Sequence, residues 1–196
     1  MKFSCAGRLC AMSMLLLAGC VQFQAAPAAL GCDPQLVGSW APASEGSAIS
    51  SDTRARIDST CMLSVNLLDG VSIPALGFEL EGKRYLALPP NAVAQLLGGP
   101  QPETEAPATA TILLRYHIDG DALSLYQPDA SYAADSNPGD SVIATEPANN
   151  QPALITVLGD AQTLREVLLH HPALFDNQER GSHFSMRREP PVAGAP

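Results

Sequence analysis

The segment ILLRYHIDGDALSL at residues 112–125 gives the clearest structural signal in this chain. Apolar side chains recur at every second position on both sides of an Asp-Gly-Asp turn, at Ile112, Leu114, Tyr116, Ile118, Leu123 and Leu125. Successive side chains of a strand point to opposite faces, so a period of two indicates a strand with one apolar face. The segment therefore predicts a β-hairpin.

The same period of two appears elsewhere along the chain. Alternating apolar residues predict further strands over residues 63–67, 78–88, 154–158 and 184–186, with a Glu-Gly-Lys turn inside the second of these segments. Many short strands separated by turn residues are typical of an antiparallel barrel or sandwich. The predicted fold is therefore mainly β.

Helix is predicted mainly in the C-terminal half. Apolar residues follow helical spacing between residues 160 and 171, and Pro172 ends the run. Either Asp160 or Thr163 has the features of a helix cap. A single helical turn is also expected over residues 91–97. The main helix comes directly before the last predicted strand.

Residues 1–19 have the features of an export signal. Lys2 and Arg8 accompany an apolar run that ends at Leu17, and no acidic residue occurs before Cys20. A span across a bilayer needs about 20 apolar residues, so this run is too short for a resident membrane helix. We expect it to be removed from the mature protein.

The four residues Leu17-Ala18-Gly19-Cys20 resemble the bacterial lipobox, where a signal peptidase cuts before a cysteine that receives acyl chains. The resemblance implies lipidation at Cys20 and a stable membrane anchor, because two or more acyl chains hold a protein lastingly. Val21 follows, not the aspartate that signals inner-membrane retention in such lipoproteins, which favours the outer membrane and a periplasm-facing domain. The alternative is an ordinary signal cut within residues 25–29.

Composition limits the partners of the mature chain. Without residues 1–19 it has nine basic and twenty acidic residues, a net charge of −11. Neither nucleic acid nor an anionic lipid surface is therefore expected as a partner, because phosphate contacts need Lys and Arg. With 46% apolar and 16% charged residues, the chain can form one folded domain over residues 32–188. An uncharged, flexible tether over residues 20–31 and a disordered tail over residues 189–196 complete it.

Two cysteines remain once the signal is removed and Cys20 is lipidated. In an exported protein Cys32 and Cys61 predict a disulfide. The loop that it closes gives roughly 3 to 4 kcal/mol of stabilisation by the chain-entropy model. The alternative is a pair of free thiols or a redox pair, although the spacing is not that of a C-x-x-C motif.

The segment Leu36-Val37-Gly38-Ser39-Trp40 resembles the Gly-x-Trp opening strand of lipocalin-like proteins, and the order of features resembles lipocalin-like lipoproteins of Gram-negative bacteria. This resemblance implies an antiparallel up-and-down barrel, closed where an arginine of the last strand packs over the tryptophan. Arg187 and Arg188 are the candidates, and Arg188 is favoured because it shares a face with Phe184 and Met186. The alternative is a sandwich in which Trp40 is an ordinary core residue and both arginines are solvated.

No motif in the chain predicts catalysis. The four histidines lack zinc-ligand spacing, and no nucleophile elbow, phosphate loop or calcium loop is present. We therefore expect no enzyme activity, no metal site and no cofactor.

Two functions remain open. The first is binding of an apolar small molecule inside the barrel, with Phe78, Leu114, Tyr116 and Leu125 as lining residues. The second is a protein-binding or envelope-maintenance lipoprotein with a barrel filled by its own side chains and an envelope protein as partner. Residues 98–107 and 127–152 are surface loops in one interpretation and ligand-entrance or partner-binding loops in the other. An apolar cavity of about 300 Å³ or more would favour the first function.

Overall fold

A computed structural model describes residues 20–43, 51–66, 71–96, 108–136, 142–145, 154–176 and 183–190. The predicted signal segment 1–19, the whole loop 98–107 and most of the predicted tail 189–196 lie outside these residues. The described chain is mainly antiparallel β-structure, as the sequence predicts.

Twelve strands lie within the described residues: β1 (Cys20–Phe23), β2 (Gly38–Pro42), β3 (Ala55–Ile57), β4 (Met62–Val65), β5 (Ser72–Pro74), β6 (Leu76–Leu80), β7 (Lys83–Leu88), β8 (Ile112–Asp119), β9 (Ala122–Tyr126), β10 (Val142–Thr145), β11 (Leu154–Val157) and β12 (His183–Arg188). The helices are α1 (Pro90–Leu96), α2 (Ala130–Ser136), α3 (Ala161–His170) and α4 (Ala173–Asp176), with a 3-10 turn at Pro34–Leu36.

Nine strands form one antiparallel sheet in the order β5-β4-β3-β2-β12-β9-β8-β7-β6. The last strand β12 lies between β9 and β2, so the last strand of the barrel pairs with the first. The edge strands β5 and β6 are separated only by Ala75. Eight antiparallel steps connect them, so they run in the same direction as two halves of one bent strand. The sheet is thus a nearly closed up-and-down barrel with eight strand positions, and the predicted barrel is confirmed.

The side chains of β7 alternate between two apolar clusters. Leu86 and Leu88 belong to an inner cluster that also contains Trp40, whereas Tyr85 and Ala87 belong to an outer cluster. Helices α2, α3 and α4 and a second, smaller sheet contribute to the outer cluster. Both faces of this part of the barrel wall are therefore covered, which explains why the run Tyr85-Leu86-Ala87-Leu88 is apolar throughout.

The smaller sheet consists of β1, β11 and β10, with β1 parallel and β10 antiparallel to β11. It departs from the flexible tether predicted over residues 20–31, because Val21 and Phe23 are buried in the outer cluster. The backbone of Phe23 also exchanges two hydrogen bonds with Thr111, at 2.8 and 2.9 Å. The sequence does not indicate this strand because it has four residues and pairs with a strand far along the chain.

Helix α3 lies before the last strand, where the sequence predicts a helix. Asp160 caps it, accepting hydrogen bonds from the backbone N–H and the hydroxyl of Thr163. The start is therefore Asp160 and not Thr163. Helix α1 corresponds to the turn expected over residues 91–97, whereas α2 and α4 have no counterpart in the sequence prediction. Among the residues that the structure describes, none of the helices has the length and apolar character needed to cross a bilayer.

Candidate functional site

One end of the barrel is closed around Trp40. Its side chain is fully buried on β2, and Arg188 lies opposite it on β12. The guanidinium carbon of Arg188 is 4.2 Å from the centre of the indole ring, a cation–π contact. Arg187 points the other way and is exposed. Arg188 is thus the arginine that covers Trp40, in the arrangement that the sequence favours.

A 3-10 turn, Pro34–Leu36, plugs this closed end. Leu36 is fully buried, and its carbonyl accepts a hydrogen bond from Trp40 Nε1 at 2.8 Å. Arg188 donates to the carbonyl oxygens of Gln35, at 2.6 Å, and Val37. A Cβ at Gly38 would lie 2.6 Å from the Arg188 guanidinium, and the φ angle of Gly38 is +142°. The Gly-x-Trp segment is therefore explained by the space that Arg188 needs.

The disulfide fastens the plug to the barrel wall. Cys32 and Cys61 are bonded, with Cα atoms 5.7 Å apart, as the sequence predicts. The backbone of Gly31, next to Cys32, exchanges two 2.8 Å hydrogen bonds with Gly77 of β6. The carbonyl of Cys61 accepts from the N–H of Ala75 at 2.8 Å. The crosslink thus lies at the bend between β5 and β6, where the sheet is not closed by strand pairing.

A polar contact adds to this closure. The hydroxyl of Tyr116, on β8, donates to a carboxylate oxygen of Asp33 at 2.6 Å. Burial raises the pKa of Tyr116 above its usual range, and the hydrogen bond and negative charge of Asp33 raise it further. Arg84 lies 3.6 Å from the same carboxylate. The two partners are 83 positions apart, and the local signal at Asp33 is only that of a helix cap before Pro34.

The structure has an opening of about 350 Å³ between residues 29–34 and β6. Its lining is mixed: Asp33, Glu79 and Arg84 occur together with Phe78 and Tyr116, two of the predicted ligand-lining residues. Its volume exceeds 300 Å³, but the three charged residues do not match the apolar cavity that a barrel-interior ligand would need. This opening is a groove beside the plug.

Three of the four predicted lining residues face the barrel interior. Leu114, Tyr116 and Leu125 belong to the inner cluster or pack against it. Phe78 does not, so the prediction for this residue is wrong: it belongs to the outer cluster and stacks on Tyr85 with ring centres 5.1 Å apart. The reason is physical. The face of β6 that carries Phe78 and Leu80 packs outward against the outer cluster, whereas Glu79 on the opposite face is exposed and lines the groove, so the apolar alternation does not indicate which face points inward.

The other end of the barrel is its mouth. Strand β9 runs from the closed end, where Ala122 pairs with Arg187, to Tyr126 at the mouth. Leu114 and Leu125, on the mouth side of Tyr116 and Leu123, are partly exposed, whereas the latter two are buried. Helix α1 follows β7 at the mouth, and its Ala92 and Val93 also pack against the inner cluster with partial exposure. Among the described residues, the barrel is thus filled at one end and has partly exposed apolar side chains at the other.

Within the described ranges, no group of three or more His, Cys, Asp or Glu side chains is placed to hold a metal ion. Comparison of this chain with protein-family models, with curated protein sequences and with solved structures gives no match.

Proposed function

We propose that this chain is a lipocalin-like lipoprotein, anchored to the outer membrane through lipid on Cys20, whose periplasmic barrel binds a small apolar molecule without catalysis. The single observation that supports binding is the partly exposed, apolar inner surface at the mouth, formed by Leu114, Leu125 and the α1 residue Val93. The lipobox-like residues 17–20 support the anchor.

The filled end restricts the ligand. An eight-stranded barrel is just wide enough for its own side chains or for one small ligand. Trp40, Tyr116, Leu123 and Met186 occupy the interior below the mouth with at most 4% exposure. The ligand therefore enters only the mouth half, and a short alkyl chain or a single ring fits this space better than a long-chain lipid. Each buried methylene contributes about 0.8 kcal/mol before the costs of association, so the expected affinity is modest.

Binding is tested with an environment-sensitive apolar fluorophore, titrated into the purified barrel domain and displaced by short-chain alcohols. We expect saturable binding that Leu125→Gln weakens about tenfold or more, because a polar amide would enter the apolar mouth. Leu30→Gln is the matched control, since Leu30 is 40% exposed and is not part of the inner cluster. If the two variants bind the fluorophore with equal affinity, the fluorophore does not bind at the mouth of the barrel.

The alternative function is a protein-binding or envelope-maintenance lipoprotein with a filled barrel. The observation that favours it is the buried inner cluster around Trp40, together with the charged groove beside the plug. Absence of saturable probe binding to a folded, disulfide-bonded protein would select this alternative.

The anchor is tested separately with Cys20→Ser in the full precursor. We expect palmitate labelling to disappear and the protein to remain unprocessed or to become soluble in the periplasm. Cys10→Ser is the control, because Cys10 lies inside the predicted signal and lacks small residues before it. A Cys20→Ser protein that still labels and fractionates with membranes contradicts the lipobox interpretation.

A further inference from the structure

The smaller sheet begins at the residue that would bear the lipid. β1 starts at Cys20, and its register places Cys20 opposite Leu154 and Phe23 opposite Val157. Phe23 is fully buried and hydrogen-bonded to Thr111. The Cα atoms of Cys20 and Phe23 can be no more than about 11 Å apart even in a fully extended chain. A lipid on Cys20 would therefore be attached to the fold with almost no spacer.

One face of this sheet is partly exposed on the β10 side. Val21, Phe23, Ile155 and Val157 point into the outer cluster, so alternate residues belong to the far face. The register places Gln22, Thr156 and Ile143 in one row across this far face. Gln22 is buried and donates a hydrogen bond to the Thr156 hydroxyl at 3.0 Å, whereas Ile143, at the β10 end of the row, is 52% exposed. Ile143 is thus a large apolar side chain that the described part of the fold leaves uncovered.

Charge also favours a bilayer as the occupant of the far face. β1, β10 and β11 contain no charged residue, although the mature chain has a net charge of −11. A strongly acidic protein can contact a neutral membrane surface most easily through an uncharged patch, where no charged side chain has to be desolvated. The acyl chains on Cys20 would start from the edge strand of this same patch.

We infer that the far face of the smaller sheet rests on the lipid surface, so that the lipidated domain is docked on the bilayer in one orientation and does not move freely on a tether. This inference depends on the proposed lipidation of Cys20. It adds an interaction surface, with Ile143 as its apolar contact.

The test uses lipidated protein reconstituted into phosphatidylcholine vesicles, with or without bromine on the acyl chains near the headgroups. Tryptophan emission is compared for Ile143→Trp and for Arg56→Trp, after subtraction of the signal from Trp40, which is buried in both. Arg56 is the matched control because it is exposed on β3, which lies four strand positions from β8 and so across the barrel from the strand that β1 contacts.

We expect bromolipid to reduce the emission of Ile143→Trp and to leave that of Arg56→Trp unchanged. A flexible Gly-Ser insert of about 15 residues between Cys20 and Val21 should abolish the quenching while flotation with vesicles persists. The docked orientation is wrong if the protein floats with vesicles but Ile143→Trp is not quenched. It is also wrong if Arg56→Trp is quenched equally. In both cases flotation still supports the lipid anchor. If lipidated protein cannot be obtained and the chain does not float, the anchor itself fails.

Discussion

At the closed end of the barrel the side chains are buried and their polar atoms are paired, whereas at the mouth apolar side chains stay partly exposed. At the closed end, Trp40 and Tyr116 each donate a hydrogen bond. Arg188 both covers the indole and donates hydrogen bonds to two carbonyl oxygens. Leu114 and Leu125 pack against the inner cluster with partial exposure. We conclude that the closed end contributes most to stability and that the mouth can change with smaller loss of stability.

The largest expected effect is that of Trp40→Ala. Removing a fully buried indole leaves a cavity under Arg188, and such substitutions cost about 3 to 5 kcal/mol. The free energy of unfolding, measured by urea denaturation, should fall by that amount. Leu125→Ala, at the partly exposed mouth, should cost less than half as much. Equal losses at the two positions would contradict the difference between the two ends.

Cys61→Ser should give the next largest loss. The disulfide closes a loop with a sequence separation of 29 residues, and the chain-entropy model gives roughly 3 to 4 kcal/mol for it. For a chain of this length the melting temperature should fall by about 6 to 16 °C. The wild-type protein in the presence of a dithiol reductant is the matched control and should melt at the same temperature as the variant. Thiols that react with an alkylating agent before reduction would refute the crosslink.

Arg188→Met should have a smaller effect. The variant keeps much of the aliphatic volume but loses the cation–π contact and the hydrogen bonds to two carbonyl oxygens, a loss of about 2 kcal/mol. Arg187→Met, on the neighbouring exposed residue, should change the free energy of unfolding by less than about 0.5 kcal/mol. If both variants lose the same stability, Arg188 has no special part in closing the barrel.

Apart from the disulfide, which follows from the count of cysteines, the features that the sequence predicts correctly are local or follow a strict period. The 112–125 hairpin, the α3 helix and the choice of Arg188 over Arg187 each depend on residues a few positions apart. The strand β1 and the direction in which Phe78 points depend instead on residues far apart in the sequence. β1 is a four-residue strand whose partner β11 begins at residue 154, and Phe78 belongs to a strand whose apolar face packs against the outer cluster. In such places the burial pattern is decided by elements distant in sequence, and local periodicity carries no information about them.

The contact between Tyr116 and Asp33 also joins residues far apart in the sequence. Its loss should have the smallest effect on the free energy of unfolding, and that effect should depend on pH. Tyr116→Phe should cost about 1 kcal/mol at neutral pH, because Asp33 loses one donor but keeps partial access to water and the nearby Arg84. The raised pKa of Tyr116 means that the folded state favours the neutral phenol. Its contribution is complete below the ordinary tyrosine pKa of 10.0 and is lost as the pH rises above that value.

Wild-type stability should therefore decline at strongly alkaline pH more steeply than that of Tyr116→Phe. Urea midpoints of the wild type and of Tyr116→Phe, measured well below and well above pH 10, give the loss of stability with pH for each protein. Tyr85→Phe is the control: burial raises the pKa of Tyr85 as well, but its ring belongs to the outer cluster and makes no contact with the plug. Each variant should remove part of the alkaline decline, and only Tyr116→Phe should also weaken attachment of the plug, seen as faster amide exchange at residues 34–37. Unchanged exchange in Tyr116→Phe would mean that the disulfide and Arg188 hold the closed end without help from Asp33.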